Sequence, residues 1–266
     1  MAAPSPGARP YLVALGLVLL VTAATVRLAH AQGVVEGIRR GIRSQAAFTQ
    51  GRALYEARDY ERARERLVEA LALDPDHDEA RAFLGWAEYQ LGEYRAAIIT
   101  FKTAIQRQPT WDGLYNGLGW SRLRLKRYHL ATEAFQGALD RNSDYVDATI
   151  GLGTAQFELG RYDLALPHLE AAVRRLEPLV GSDPAELPEV RSKTAWCLYY
   201  LGRYREAVTL FGRAIRATPD WHGLYNGLGW CYLKLGQKAE ARAAFQRALG
   251  LKPDYEDARE GLRQAS

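Results

Sequence analysis

Apolar and small residues recur along most of this chain at a fixed interval of 34 residues. Leu84-Gly85-Trp86 returns as Leu118-Gly119-Trp120, Phe101 as Phe135, and Trp196 as Trp230. Setting the frame by its small residues gives six units, starting near Ser44, Asp78, Asp112, Val146, Pro188 and His222. The eighth position of each unit reads Gly51, Gly85, Gly119, Gly153, Ala195 and Gly229. The twentieth and twenty-seventh are alanine in every unit, from Ala63 and Ala70 to Ala241 and Ala248. Helix axes approach closely only where no side chain intervenes, so these positions mark helix contacts. The twenty-fourth position supplies the opposite need, with Leu67, Phe101, Phe135, Leu169, Phe211 and Phe245. Large residues face small ones, and the pattern predicts two antiparallel helices per unit.

The punctuation between apolar runs agrees. Leu91-Gly92-Glu93-Tyr94, Leu159-Gly160-Arg161-Tyr162 and Leu201-Gly202-Arg203-Tyr204 put glycine where a helix C-terminus takes a left-handed residue. Pro75, Pro109, Pro219 and Pro253 stop the second helix of their units, since proline has no N–H to donate. Asp78, Asp112, Asp144 and Asp220 are candidate residues for helix entry. A longer repeat overlies the short one: Trp111 to Trp120 recurs as Trp221 to Trp230, and 20 of 35 positions from Trp86 to Trp120 match at the same offset of 110. Three units would span 102 residues, so an excess of 8 falls in the fourth, at about 177–188, where Pro178, Pro184, Pro188 and Gly181 exclude a continuous helix. Leu179, Val180 and Leu187 are the residues of that insertion able to fold back on the array. Residues 254–264 are expected to be a capping helix with a polar outer face.

Tyr115-x-x-Leu118-Gly119 and Tyr225-x-x-Leu228-Gly229-x-x-Tyr232, followed by Ala241, Phe245, Ala248 and Pro253, resemble the tetratricopeptide repeat over about residues 44–264. The resemblance implies an all-α fold: a right-handed α-solenoid of six helix-pair repeats with a C-terminal capping helix, units near 44–77, 78–111, 112–145, 146–187, 188–221 and 222–253, and a concave face lined by the first helices. Function in such scaffolds resides in the groove surface and not in the fold.

The N-terminus departs from the repeat. An uncharged run over residues 10–26, preceded by Arg9 and followed by Ala29-His30-Ala31, reads as a signal peptide spanning 1–31 that leaves Gln32 as the mature N-terminus. The alternative is a retained membrane anchor at residues 10–26, and Arg27, Arg39, Arg40 and Arg43 would then favour a cytoplasmic array. Residues 32–43 are expected to be a linker or cap segment. The chain carries a net charge of +4, falling to +2 without residues 1–31, which offers no basic stripe for nucleic acid. Cys197 and Cys231 occupy equivalent places in adjacent units, about 8 to 10 Å apart by helix packing, too far for a disulfide. Both are expected as small core residues.

No nucleophile, phosphate-loop or metal-ligand motif is present in the sequence, so no catalytic residue, metal site or cofactor is predicted, and an enzyme is not expected. His77, His129, His168 and His222 are scattered and are expected at the surface. The informative positions are those the resemblance places on the concave face: Trp86, Tyr89, Asn116, Trp120, Arg124, Trp196, Tyr199, Tyr200, Asn226, Trp230 and Lys234. Spacing of i, i+4 puts Asn116, Trp120 and Arg124 in one row, and Asn226, Trp230 and Lys234 in its duplicate. Two readings of the tryptophans stand open: packing against the adjoining helix, or contact with a ligand. Asparagine offers a donor and an acceptor, suited to an extended peptide or to sugar hydroxyls. The expected partner is therefore a protein or peptide held by an extracytoplasmic scaffold that assists assembly of an envelope complex. A polysaccharide is the alternative ligand, and contact with a membrane is expected only through an uncleaved N-terminal segment.

Overall fold

The computed structural model describes residues 9–177 and 187–266, with side chains at residue 30 and from residue 32 onward within those ranges. Among them are thirteen α-helices and no strand. The chain divides into two compact units, Met1–Leu91 and Gly92–Ser266.

The first unit holds α1 (Arg9–Glu56), α2 (Tyr60–Leu73) and α3 (Asp78–Gln90). Residues 32–43, expected as a linker or cap segment, lie within the single helix α1, where Val34, Val35, Ile38 and Ile42 are exposed. The signal or anchor expected over residues 1–31 falls almost wholly outside the described side chains; among the described residues no helix is long and apolar enough to cross a membrane. From Ser44 onward α1 packs. Ala47 and Phe48 meet Ala63, Leu67 and Ala70 of α2 and Ala80, Leu84 and Ala87 of α3 in one buried cluster. His77 is not a free surface residue: half-buried, it accepts the Ala80 N–H at 3.3 Å and caps α3. That capping leaves Asp78 in the first turn, where its charge complements the helix dipole.

The second unit runs α4 (Tyr94–Arg107), α5 (Asp112–Arg124), α6 (Tyr128–Leu139), α7 (Val146–Glu158), α8 (Tyr162–Leu176), α9 (Leu187–Tyr200), α10 (Tyr204–Ala217), α11 (His222–Lys234), α12 (Lys238–Leu251) and α13 (Glu256–Ala265). Each helix packs on the next, and α5, α7, α9, α11 and α13 also touch in succession, which gives them a shared face. Large against small is realised atom by atom. A Cβ on Gly119 would stand 2.6 Å from the Phe135 ring of the same repeat, and one on Gly151 would stand 2.3 Å from that ring from the next repeat. Gly229 and Gly261 enclose Phe245 in the same way, at 2.7 and 2.2 Å. Phe135 and Phe245 are thus each clasped by two glycines, one on either helix beside the ring, while Phe211 has Gly227 on one side and Ala195 at the place of the other. Gly160, Gly202 and Gly236 end their helices at φ of 72 to 77°, while the equivalent places in other repeats carry Arg58 and Lys126 at 63 and 57°.

Helix entry differs from expectation. Trp111, Tyr145, Trp221 and Tyr255 stand at the N-caps of α5, α7, α11 and α13 without a side-chain cap bond. Asp112 lies one residue inside its helix, and its carboxylate takes the Gly113 N–H at 2.7 Å. The fourth-unit insertion falls mostly on residues 178–186, with Leu179 and Val180, outside the described residues. Its flanks are ordered by burial and charge: Leu187 is fully buried, and Glu177 accepts hydrogen bonds from Arg191 at 3.2 Å and Arg213 at 3.5 Å. These four side chains are not at the expected groove positions. Cys197 and Cys231 are free and fully buried, and burial pushes both thiols up to about 12.

Candidate functional site

Trp86 and Tyr89 belong to the first unit, half-buried on α3 with ring centroids 5.7 Å apart. The other predicted residues lie on α5, α9 and α11 of the second unit. Asn116 and Asn226 do not face solvent. They are 1% and 0% exposed, which corrects the expectation that their amides meet a ligand. The Asn116 amide nitrogen donates to Asp147 Oδ2 at 2.7 Å, and the Trp120 indole N–H donates to the same oxygen at 2.9 Å. The duplicate repeats the construction. Asn226 and Trp230 donate to Asp257 Oδ2 at 2.6 and 3.1 Å. A buried N–H is costly to leave unpaired, and here the amide donors go to the carboxylate on the next first helix. The carbonyl oxygens of both asparagines are buried without a partner.

The two readings of tryptophan meet in these residues. Trp120, Trp196 and Trp230 each set the ring edge-on to a core phenylalanine, Phe135, Phe211 and Phe245, with centroids 5.3, 5.5 and 5.4 Å apart. All three are only half-buried, so part of each ring remains accessible. Arg124 and Lys234 are exposed at the ends of α5 and α11.

The aromatic concentration is greater around α9 than the sequence indicated. Tyr200, 51% exposed, stacks on Tyr162 at 4.2 Å and 12° between planes. Phe157 lies 5.5 Å from Tyr162, while Trp196 and Tyr199 lie 6.0 and 5.4 Å from Tyr200. Tyr162 starts the second helix of its repeat and was not predicted as a groove residue. Burial, then neighbouring charges that include Asp257, pushes the Tyr199 hydroxyl up to about 12; burial, Tyr162 and Asp257 raise Tyr200. The Asp257 carboxylate on α13 is therefore within electrostatic reach of the rings on α9. Trp196 has no such acid, because Gly223 stands at the place that Asp147 and Asp257 fill in the other copies.

Asp147 and Asp257 are the residues that sequence reasoning missed. A signal for them exists: Asp144-Tyr145-Val146-Asp147-Ala148 and Asp254-Tyr255-Glu256-Asp257-Ala258 stand at the same offset of 110 residues as the tryptophan decapeptides. The capping helix thus begins as a first helix does. Among the described residues no group of acids, cysteines and histidines is arranged to hold a metal ion.

Comparison with solved structures supports the fold. YrrB, described as a tetratricopeptide protein with an unusual peptide-binding site, superposes with a TM-score of 0.64 at 21% identity over 74% of this chain and 97% of its own. PilF of Pseudomonas aeruginosa gives 0.69 at 18% identity over 83% and 97%, and a tetratricopeptide protein of Parabacteroides merdae gives 0.60 at 17% over 85% and 99%. A comparison with curated proteins gives no sequence match. Two tetratricopeptide-repeat family models match in sequence, one at residues 48–110 and 193–263 and the other at 144–220. The 34-residue period and the phenylalanines clasped by glycines are the physical content of that match, and the chain belongs to the tetratricopeptide-repeat family.

Proposed function

We propose that this chain is a non-enzymatic scaffold that binds a protein or peptide segment on the face shared by α5, α7, α9, α11 and α13. The observation that carries the reading is the cluster of Phe157, Tyr162, Trp196, Tyr199 and Tyr200, which leaves ring surface open on a rigid helical face. Tyrosine and tryptophan supply large contact area at low conformational cost and dominate binding energy where they anchor a partner. YrrB, of like fold, is described as binding peptide, which is consistent with this use of the face. A tiled peptide array probed with the full chain tests it. A subset of peptides should bind, and Trp196→Ala or Tyr200→Ser should remove that binding while the helical circular dichroism signal is retained. Binding indifferent to both substitutions counts against the reading.

The polysaccharide alternative rests on indole faces for stacking together with amides directed at the sugar hydroxyls, and only the second part depends on Asn116 and Asn226. Those amides are committed to Asp147 and Asp257, so the directed hydrogen bonds to sugar hydroxyls lose their support. The setting we propose is extracytoplasmic, in assembly of an envelope complex, supported by the export-type pattern of residues 1–31. Terminal sequencing of protein from native cells decides it. An N-terminus at Gln32 supports cleavage and export, whereas an intact segment in the membrane fraction replaces export with anchoring by residues 10–26.

A further inference from the structure

We infer that Asp257, with Asp147 as its weaker duplicate, is a receptor for the cationic side chain of a basic peptide. This rests on the peptide-binding face proposed above and adds the chemistry of its ligand. Three observations carry it.

The first is the way each carboxylate is held. Both donors converge on Oδ2, one from a buried asparagine and one from an indole N–H. A carboxylate has about four acceptor sites on its two oxygens. With Oδ2 taken up, Oδ1 is left unengaged and fixed in direction. Among the described residues neither Asp147 nor Asp257 forms an ion pair, although both side chains are exposed. They are oriented negative charges without a counterion.

The second is the cost of the arrangement. A buried carbonyl oxygen without a partner costs about 1–3 kcal/mol, and it occurs at both Asn116 and Asn226. Helix docking alone does not require it. In the fifth repeat, Ser192 replaces the asparagine and Gly223 the acid, and Trp196 packs on Phe211 as well as the other two tryptophans pack on theirs. Clamp and acid therefore occur together or not at all, and the asparagine accounts for the orientation of the charge.

The third is what surrounds Asp257. The rings of α9 and the directed carboxylate of α13 flank the same helix, since α9 and α13 both pack on α11, and the carboxylate's charge also reaches the hydroxyls of Tyr199 and Tyr200. The face between them suits a long side chain with an apolar stem and a cationic head: stem against rings, head on Oδ1, with added attraction from the ring faces. Arginine and lysine have that form. The charge is opposite to that of a groove built for a terminal carboxylate. Asp147 has Tyr145 beside it as Asp257 has Tyr255, and the Tyr145 hydroxyl also accepts from the Asn116 amide at 3.3 Å; among the described residues Asp147 bears on no ring pair like Tyr199 and Tyr200, which makes it the weaker copy.

Fluorescence anisotropy with the full chain tests the inference, using short labelled peptides that differ only in carrying arginine, citrulline or glutamate at the same positions. Arginine peptide should bind best and lose affinity as salt is raised. Asp257→Asn keeps an acceptor oxygen for Asn226 and Trp230 but removes the charge. It should weaken arginine peptide about tenfold and leave citrulline peptide unchanged, with a smaller loss for Asp147→Asn. Asp257→Glu, which restores the charge, should retain the preference for arginine, and this separates loss of charge from loosening of α13. Equal binding of arginine and citrulline peptides overturns the inference, as does arginine binding unaltered in Asp257→Asn. If those peptides bind equally and Trp196→Ala abolishes both, the peptide-binding face survives and only its charge preference falls; if Trp196→Ala changes nothing, both fall.

Discussion

Individual residues are governed by available space and by backbone angle, and both give sharp expectations. Gly227 on α11 stands where a Cβ would meet the Phe211 ring at 2.3 Å, and Phe211 is fully buried with nowhere to move. Gly227→Ala should cost about 1–3 kcal/mol in urea unfolding through overpacking. Gly212, inside α10, has nothing within 4 Å of an added Cβ, so Gly212→Ala should instead gain about 0.5–1 kcal/mol from reduced chain entropy. Lys126 holds φ at 57°, a left-handed angle that glycine takes in the equivalent place of other repeats. Lys126→Gly should therefore stabilise by roughly 0.5–1 kcal/mol, and a lower urea midpoint would count against the strain. The buried thiols add a pH dependence. Unfolding returns Cys197 and Cys231 from about 12 to the ordinary thiol range, and Tyr199 from about 12 to the ordinary phenol range. Folded values are raised, so this stability is fully present below the unfolded values, near 8.5 for cysteine and 10 for tyrosine, and is lost as pH rises through the folded ones. The urea midpoint should fall progressively from about pH 8.5 to 12, and Cys197→Ala with Cys231→Ala should flatten the first part of that fall.

At the scale of helices, neighbouring first helices are pinned in two ways. Trp230 and Asn226 of α11 hold Asp257 of α13, and Trp120 and Asn116 of α5 hold Asp147 of α7, whereas between α9 and α11 there is packing without this clamp. Trp230→Phe keeps the apolar ring on Phe245 and removes one hydrogen bond to a charged acceptor. It should cost about 1.5–3 kcal/mol and raise amide hydrogen exchange in α13. Trp196→Phe, with no acid to lose, should cost much less; equal costs would mean that the clamp contributes nothing. The helices themselves were legible in the sequence, because a glycine facing a phenylalanine and a proline after the second helix are local signals with a single physical meaning. The amides were not. An asparagine on a first helix reads equally as solvent-facing or as bonded to a neighbour, and its partner is 31 residues away. Only the duplication, carried on to Asp147 and Asp257, singles that partner out. The helical course of residues 32–43 was also hidden, since a stretch with Gly33, Gly37 and Gly41 gives weak local preference.

Across the second unit, stability is expected to be a sum of neighbour contacts, since each helix pair buries its apolar side mainly against the next. Helix α13 then has a defined task. Gly261 of α13 closes over the Phe245 ring, Ala258 and Ala265 join the same buried cluster, and Arg242 of α12 donates to the Ala265 carbonyl at 3.1 Å. Removing residues 254–266 uncovers one face of Phe245 and frees Asn226 and Trp230 at once. Because contacts pass only between neighbours, the damage should remain local: hydrogen exchange should speed up in α11 and α12 and stay near its original rate in α5 and α6. The truncated chain should also lose the arginine preference assigned to Asp257 while keeping the ring cluster of α9. Uniformly faster exchange throughout Gly92–Ser266 would instead show one cooperative unit, in which the last helix supports every repeat and not just its neighbour.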